Sequence, residues 1–235
     1  MSAEPTSVDV AANLAAVRAR IDDACAAAGR DPDDVSLLPV SKTHPLPVLE
    51  AAYAAGVRLF GENKVQEAGE KAEQLADRTD VRWAMIGHLQ SNKVRQVAAF
   101  AAELHALDSL KVARGLHRAL DEHGRTLDVF VQVNSSAEPQ KSGLPPDEVE
   151  GLLTALADLP TLKVRGLMTL AVQSDDEGAV AACFDLTAEL RDRLAPDLCG
   201  RELSMGMSGD LGLAIAHGAT TVRVGQAIFG AREPR

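Results

Sequence analysis

The chain has 235 residues, 46% hydrophobic but only 3% aromatic, so Ala, Leu and Val must form most of a sizeable core. Its formal net charge of −10 argues against binding to nucleic-acid phosphates or to an anionic membrane surface. This length suits one large domain, and no apolar segment reaches the roughly 18 residues that a membrane span needs.

Hydrophobic spacing and turn residues predict alternating helices and strands. A first helix over 8–28 precedes the alternation and ends at Gly29. Eight short apolar strands follow, predicted over 35–42, 57–63, 81–88, 103–109, 128–135, 163–170, 201–207 and 221–227. The helices between them are predicted over 45–56, 64–78, 91–102, 110–124, 146–158, 176–194 and 209–217.

This alternation predicts a single-domain α/β fold over residues 1–235, with residues 1–7 flexible. The strands are apolar on both faces, as in a parallel sheet that helices cover. Eight such strands favour closure into a (β/α)8 TIM barrel with an extra N-terminal helix. A doubly wound open sheet is the alternative.

A lysine at the end of the first strand is the first candidate for chemistry. Leu38, Val40 and Lys42 share one strand face, and Lys42 differs in this from a solvated helix lysine such as Lys71. Burial lowers the pKa of a lysine, and a neutral amine can form a Schiff base with a carbonyl. The alternative is a strand-end lysine that pairs with an acid.

A phosphate site is the second candidate. The run SMGMSGD (204–210) joins the seventh strand to a helix, and its small residues let backbone N–H groups approach a ligand. Ser204 and Ser208 add hydroxyl groups, and Gly225 offers a second small site at the eighth strand. Barrel enzymes often bind phosphate at the loops after these two strands. The alternative is a helix cap by Ser208 or Asp210 with ordinary glycine turns.

Arg223 is the third candidate. If Val222 and Val224 pack against helices, Arg223 points into the barrel mouth, where a buried guanidinium needs an acceptor. A carboxylate such as Glu62 or Asp108 is the alternative partner.

Together, an amine, a phosphate cradle and an arginine fit pyridoxal 5′-phosphate. Lys42 would hold its aldehyde, the seventh and eighth loops its phosphate, and Arg223 would face its ring nitrogen. Because arginine keeps its proton at ordinary pH, that nitrogen would stay unprotonated. The ring would then be a weaker electron sink than the pyridinium of many enzymes that use this cofactor.

The chain also resembles the pyridoxal phosphate homeostasis proteins (the YggS/PLPBP family) over nearly its whole length. The matching segments are VSKTHP (40–45), FGENKVQE (60–67), WAMIGHLQSNK (83–93), QVNSSAEPQKSG (132–143), RGLMTL (165–170) and the run from LSMGMSGD to GAR (203–232). One departure is AVQSDDE (171–177), where many members carry prolines.

The resemblance implies a barrel similar to the N-terminal domain of alanine racemase. It implies that Lys42 carries the cofactor as an internal aldimine, that Asn63 lies beside it and that Arg223 faces the ring nitrogen. The residues matching the family's phosphate-binding segments are Ser204, Gly206, Ser208 and Gly225. His88, Gln90 and Asn92 belong to the signature GHLQSNK without individual roles.

The family is associated with keeping pyridoxal phosphate available and at a tolerable level rather than with an established turnover reaction, and delivery to apo-enzymes is part of the function expected here. The resembling racemases take a second base, a tyrosine, from a C-terminal domain, whereas Tyr53 here is expected to pack within a helix. We therefore expect a monomeric carrier rather than an enzyme. An amino-acid racemase, and an aldolase that uses Lys42 on a sugar phosphate, are the alternatives.

The cysteines indicate the compartment. Cys25, Cys183 and Cys199 are an odd number without CxxC spacing, which argues against a disulfide scaffold and structural zinc. The N-terminal segment also lacks the pattern of a secretory signal. We expect a cytoplasmic protein without a metal, in which His105 and His117 are ordinary strand and helix residues.

Overall fold

The computed structural model describes residues 8–136, 138 and 142–231. The expected flexibility of residues 1–7 lies outside the described residues. Within the described chain, eight parallel strands form one sheet. They are β1 (Ser36–Pro39), β2 (Leu59–Glu62), β3 (Arg82–Met85), β4 (Glu103–Leu107), β5 (Leu127–Val133), β6 (Leu162–Thr169), β7 (Glu202–Ser204) and β8 (Thr221–Val224).

The sheet runs in the order β1-β8-β7-β6-β5-β4-β3-β2. Its two ends meet at one isolated parallel bridge between Val40 and Gly61. The Ser41 amide donates to the Gly61 carbonyl there, at 3.0 Å. The strands thus close into the predicted (β/α)8 barrel, and the open-sheet alternative is wrong.

Helices cover the outside of the barrel. They are α1 (Val10–Ala27), α2 (Leu46–Ala54), α3 (Val65–Gln74), α4 (Val94–Phe100), α5 (Leu110–Glu122), α6 (Val149–Leu156), α7 (Glu177–Leu194), α8 (Leu211–Ala216) and α9 (Gln226–Phe229). Two short 3-10 helices lie at Pro32–Asp34 and Ser91–Lys93.

The eighth strand ends earlier than predicted. It stops at Val224, and the residues predicted to continue it form α9 instead. Gly225 lies at the change of direction, where a Cβ would come within 3.0 Å of the Val40 carbonyl oxygen. The close approach of the Val40 and Gly225 backbones therefore favours glycine here. The amphipathic pattern does not reveal this, because Ala227 and Ile228 are apolar in either structure.

The extra N-terminal helix α1 packs beside the end of the barrel. Asp9 caps it by accepting from the Ala12 amide, and the spacing of Leu14, Val17 and Ile21 gives one buried stripe. The stripe packs on α8 and α9. This helix therefore supports the segments that follow β7 and β8.

We expect Leu14→Ala to lower the free energy of unfolding by about 2–5 kcal/mol, because Leu14 is 1% exposed and its removal leaves a cavity. Urea unfolding measures the loss. Arg18→Ala, on the exposed face of the same helix, should change it by less than about 0.5 kcal/mol. Equal effects of the two changes would show that α1 is not packed as described.

Candidate functional site

Lys42 lies in the turn that follows the barrel closure. It is half-buried and comes two residues after the bridge residue Val40. The next residue, Thr43, has φ of 68°, a left-handed conformation that costs a β-branched residue free energy. The Thr43 amide donates to Glu67 Oε1. The surrounding contacts thus hold a strained turn in which Lys42 is presented at the carboxyl end of β1.

Lys71 is buried rather than solvated, so the sequence expectation for it was wrong. Its Nζ donates to the Ser41 carbonyl at 2.8 Å, to Glu62 Oε1 at 2.7 Å and to Glu67 Oε1 at 2.8 Å. These contacts form because Lys71, on α3, extends towards the ends of β1 and β2. The apolar pattern of α3 does not show which of its polar side chains points inward. Lys71 therefore holds the backbone next to Lys42 through its hydrogen bond to the Ser41 carbonyl.

Glu62 is the acid partner of this cluster and is fully buried. Burial raises the pKa of Glu62, while Lys71 and the Ser41 hydroxyl, 2.6 Å from Oε1, act in the opposite direction. Its second oxygen, Oε2, has no hydrogen-bond partner among the described residues. A buried carboxylate oxygen without a donor is costly when the group is charged, which agrees with the raised pKa of Glu62.

Arg223 points into the barrel, as predicted, and is 4% exposed. Its Nη1 donates to Ser204 Oγ at 2.8 Å and its Nη2 to the Thr169 carbonyl at 2.9 Å. Burial lowers the pKa of Arg223 to about 10, so the guanidinium stays charged at neutral pH. It is thus a buried cation whose observed acceptors are both neutral.

Neither Glu62 nor Asp108, the carboxylates considered as alternative partners, pairs with Arg223, so that alternative is wrong. Glu62 pairs with Lys71, as described above. Asp108 Oδ2 accepts from the Gly143 amide and lies beside His88 Nδ1, both at 3.2 Å. Among the described residues, no carboxylate forms an ion pair with Arg223. The β-strand alternation gives the direction of a side chain but not its partner across the barrel.

Ser204 is used differently from the expectation. Its hydroxyl is fully buried, accepts from Arg223 and lies 2.8 Å from His105 Nδ1. The side chain thus lies inside the barrel and holds the arginine. His105 in turn lies 2.9 Å from Glu103 Oε2.

Sequence reasoning missed His105 as a site residue. Its histidine ring is fully buried and packs on the Phe130 ring, with 4.3 Å between centroids. The available signal was the period of two in β4, which places Glu103 and His105 on one face. A histidine on the inner face of a barrel strand has to find polar partners.

The two candidate phosphate loops are built where side chains do not fit. Gly206 has φ of 92°, and a Cβ there would come within 2.5 Å of the Ala214 side chain. Ser208 is half-buried, and its carbonyl accepts from Arg20 on α1 at 2.8 Å. Gly225 starts the second loop. At both glycines a Cβ would meet neighbouring protein atoms, Ala214 at Gly206 and the Val40 carbonyl at Gly225, so glycine lets the backbone of both segments approach its neighbours closely.

Asn63 follows β2 and is half-buried. Its carbonyl lies so close to Gly87 that a Cβ there would come within 2.3 Å of the oxygen. The loops after β2 and β3 are therefore packed together. His88, Gln90 and Asn92 are all exposed in the loop after β3, and the structure gives them no separate roles.

The sheet order explains why these residues meet. The strands β7, β8, β1 and β2 are consecutive around the barrel, and their carboxyl ends point the same way. Lys42, Asn63, Arg223 and the two glycine loops therefore share one end of the barrel. A lysine amine, a buried guanidinium and two glycine segments thus lie at the same end of the barrel.

Other kinds of site are not evident among the described residues. They contain no group of three or more His, Cys, Asp or Glu side chains that could hold a metal ion. No helix in the described ranges is long and apolar enough to cross a membrane.

Comparison with known proteins supports the resemblance seen in the sequence. The domain family described as alanine racemase, N-terminal domain, matches residues 12–233. Pyridoxal phosphate homeostasis proteins of Pseudomonas aeruginosa and Escherichia coli strain K12 are 45% and 39% identical over 225 and 235 residues. These matches cover 95% and 96% of this chain and 96% and 97% of the relatives.

A solved structure shows the same likeness in three dimensions. PipY of Synechococcus elongatus PCC7942, whose structure has pyridoxal phosphate bound, is 39% identical and has a TM-score of 0.82. The match covers 94% of this chain and all of that chain. The family resemblance and the barrel fold predicted from the sequence are confirmed.

We expect Lys71→Met to lower the free energy of unfolding by about 3–5 kcal/mol, because it leaves the buried Glu62 carboxylate without its cation. Urea unfolding at neutral pH measures the loss. Lys111→Met, at an exposed helix position, is the matched control and should change stability by less than about 0.5 kcal/mol. A loss below about 1 kcal/mol at Lys71 would contradict the buried cluster.

We also expect stability to depend on His105 below about pH 6.5. Burial lowers the pKa of His105 in the folded chain, and the Arg223 charge acts in the same direction. The unfolded chain therefore binds an extra proton as the pH falls from about 6.5 towards the lowered folded value, and stability decreases in that window.

His105→Asn should flatten this dependence, by up to about 1.4 kcal/mol per pH unit, in urea unfolding at a series of pH values. Glu62, whose raised pKa acts in the opposite sense, is present in both proteins, whereas Glu103 loses the hydrogen bond from His105, so the difference reports on the His105–Glu103 pair. Parallel pH profiles for the two proteins would show that His105 is not buried as a neutral ring.

Proposed function

Because the chain belongs to the family of the pyridoxal phosphate homeostasis proteins, we propose that it binds pyridoxal 5′-phosphate and helps to keep this cofactor available in the cell. The supporting observation is the shared barrel end of Lys42, Arg223 and the glycine loops. Relatives of the same length carry the homeostasis name, and the PipY structure contains the cofactor.

Lys42 is the residue that we assign to the cofactor aldehyde. Condensation of its Nζ with the aldehyde would form a carbon–nitrogen double bond and release one water. Lys71, the buried lysine at this end, donates to three acceptors. The strained turn at Thr43 holds Lys42 at the barrel mouth, and a preorganised amine loses less freedom when it binds.

The loops after β7 and β8 would hold the phosphate. Gly206, Ser208 and Gly225 would offer backbone groups and one hydroxyl, and the two glycines allow the close backbone approaches on which these loops depend. Arg20 binds the Ser208 carbonyl, and Asn13 donates to the Ile228 carbonyl at 2.9 Å. The helix α1 thus ties both loops to one rigid support, which favours a fixed anion position.

Arg223 would face the ring nitrogen, with Asn63 beside the ring. A charged guanidinium donates hydrogen bonds and does not give up a proton at ordinary pH, so it favours an unprotonated nitrogen. A bound ring of this kind withdraws electrons less strongly than a pyridinium. This supports holding the cofactor over using it for turnover.

The position of Tyr53 also supports a carrier rather than a racemase. Its hydroxyl donates to Asp80 at 2.9 Å, and Arg58 lies 4.0 Å from the ring centroid. Asp80 and Arg58 precede β3 and β2, at the opposite end of the barrel from Lys42. The hydrogen bond to Asp80 raises the pKa of Tyr53. This tyrosine is therefore not placed as a second base.

We further propose that the protein releases the cofactor to apo forms of pyridoxal-phosphate enzymes. In this proposal it acts as a monomer in the cytoplasm and has no robust turnover of its own. The acidic net charge of −10 argues against nucleic acid as a competing partner. Weak racemase-like activity is the second candidate, since the fold is that of the alanine racemase N-terminal domain.

We expect Lys42→Ala to lose the absorbance band of the covalently bound cofactor, because it removes the amine that we assign to the aldehyde. Titration with pyridoxal 5′-phosphate, followed by absorbance and by equilibrium dialysis, measures the change. Lys111→Ala is the control and should titrate like the unchanged protein. A band that persists unaltered in Lys42→Ala would rule out this lysine.

We expect exchange of the Cα hydrogen of amino acids with solvent deuterium to be far slower than ordinary turnover of about 1–1,000 per second. The reason is that Tyr53 is not placed as a second base and that a ring facing Arg223 would be a weak electron sink. NMR of alanine and other amino acids incubated with the loaded protein measures the exchange. Exchange rates within that range would contradict the carrier function and support the racemase.

A further inference from the structure

We propose that His105 and Glu103 are positioning residues that fix the guanidinium of Arg223 towards the cofactor through a one-way chain of hydrogen bonds inside the barrel. The inference deepens the proposed function and rests on it, since it takes Arg223 to face the ring nitrogen. It assigns a role to two residues that do not reach the barrel mouth.

The direction of the chain follows from the donors present. Arg223 Nη1 can only donate, so Ser204 Oγ accepts at 2.8 Å and has its own proton to give. His105 Nδ1 lies 2.8 Å from that oxygen and accepts this proton when the ring is neutral. The ring then carries its hydrogen on Nε2, which donates to Glu103 Oε2 at 2.9 Å.

The electrostatics agree with this direction. Burial lowers the pKa of His105, which keeps the ring neutral at ordinary pH. Burial alone would raise the pKa of Glu103, but the hydrogen bond from His105 and nearby charges, including those of Arg82 and Arg165, lower it overall, so it stays a carboxylate. A neutral ring between a cation and an anion is therefore fixed as the Nε2–H tautomer.

The chain also extends through the barrel. Glu103 begins β4 and lines a cavity of about 230 Å³ at the amino ends of the strands, together with Arg82 and Arg165. Arg223 lies near the other end, where Thr169 closes β6 and accepts its second hydrogen bond. Four polar side chains thus replace apolar packing along the interior.

A buried polar chain of this kind lowers the free energy of unfolding relative to an apolar interior of similar volume. Its effect is geometric: Ser204 and the Thr169 carbonyl hold two guanidinium nitrogens, and His105 fixes which way the Ser204 hydroxyl points. Without His105, the hydroxyl proton can rotate towards Arg223 and weaken the acceptor. The arginine would then lose its defined position, and a cofactor that contacts it would bind less tightly.

The tautomer of His105 gives the first test, because it can be read without the cofactor. In nitrogen-15 NMR of the labelled protein at pH 7.5, the histidine signals that disappear in His105→Asn should be those of a neutral ring with its hydrogen on Nε2. A ring protonated on Nδ1, or on both nitrogens, at this pH would overturn the proposal.

The second test measures binding of pyridoxal 5′-phosphate. His105→Leu removes the acceptor, and we expect about tenfold weaker binding, the size of one hydrogen bond to a charged group. His105→Asn places an amide oxygen near the position of Nδ1 and should recover most of the affinity. The pH midpoint of the bound cofactor's absorbance should also move in His105→Leu, because Arg223 no longer holds the ring nitrogen.

His117 provides a matched control. Its Nδ1 also lies 2.8 Å from a hydroxyl, that of Thr161, but on α5 outside the barrel. His117→Leu should leave affinity and pH midpoint unchanged. If His105→Leu does not fold, Glu103→Leu removes the acceptor at the far end of the chain and should weaken binding in the same direction.

The outcomes separate the inference from the proposed function. If His105→Leu binds and titrates like the unchanged protein while Lys42 still captures the cofactor, the positioning role is wrong and the carrier stands. If the unchanged protein captures no cofactor at Lys42, the proposed function fails, whereas the NMR result still decides whether the hydrogen-bond chain exists.

Discussion

The barrel closes at the bridge between Val40 and Gly61, and the site depends on this closure. A Cβ at Gly61 would lie 3.2 Å from the Val40 side chain and 3.3 Å from that of Leu38, so glycine lets β1 approach β2. The approach places the Lys42 turn beside the end of β2. It also places β1 between the strands that carry Arg223 and Asn63.

Two buried cations face this end of the barrel and are compensated in different ways. Lys71 is neutralised by Glu62 and Glu67, and its role is to hold the backbone beside Lys42. Arg223 instead has neutral acceptors and remains charged, so its hydrogen bonds offset only part of the free-energy cost of burying the guanidinium. A buried cation without a carboxylate favours a ligand that supplies an acceptor, and a ring nitrogen is such an acceptor. The chemistry of the candidate site follows from this difference between the two cations.

The sequence predicted the order of elements well, because buried strands and amphipathic helices have distinct hydrophobic periods. It also predicted that Arg223 points inward, since the alternation along β8 fixes the face of each side chain. It did not predict the partners, because a period of two places a side chain on a face without saying what lies opposite. Lys71 and His105 were misjudged for that reason, since Lys71 contacts the Ser41 carbonyl 30 positions away and His105 contacts Ser204, 99 positions away. The end of β8 was misjudged because a backbone approach to Val40, not a side-chain pattern, ends the strand.

The proposed binding of the cofactor depends on capture of its aldehyde by Lys42. Borohydride reduction of the protein loaded with pyridoxal 5′-phosphate, followed by peptide mapping with mass spectrometry, identifies the lysine involved. We expect one reduced adduct, on the peptide that contains Lys42. An adduct confined to Lys71 or to surface lysines, or no adduct, would contradict it.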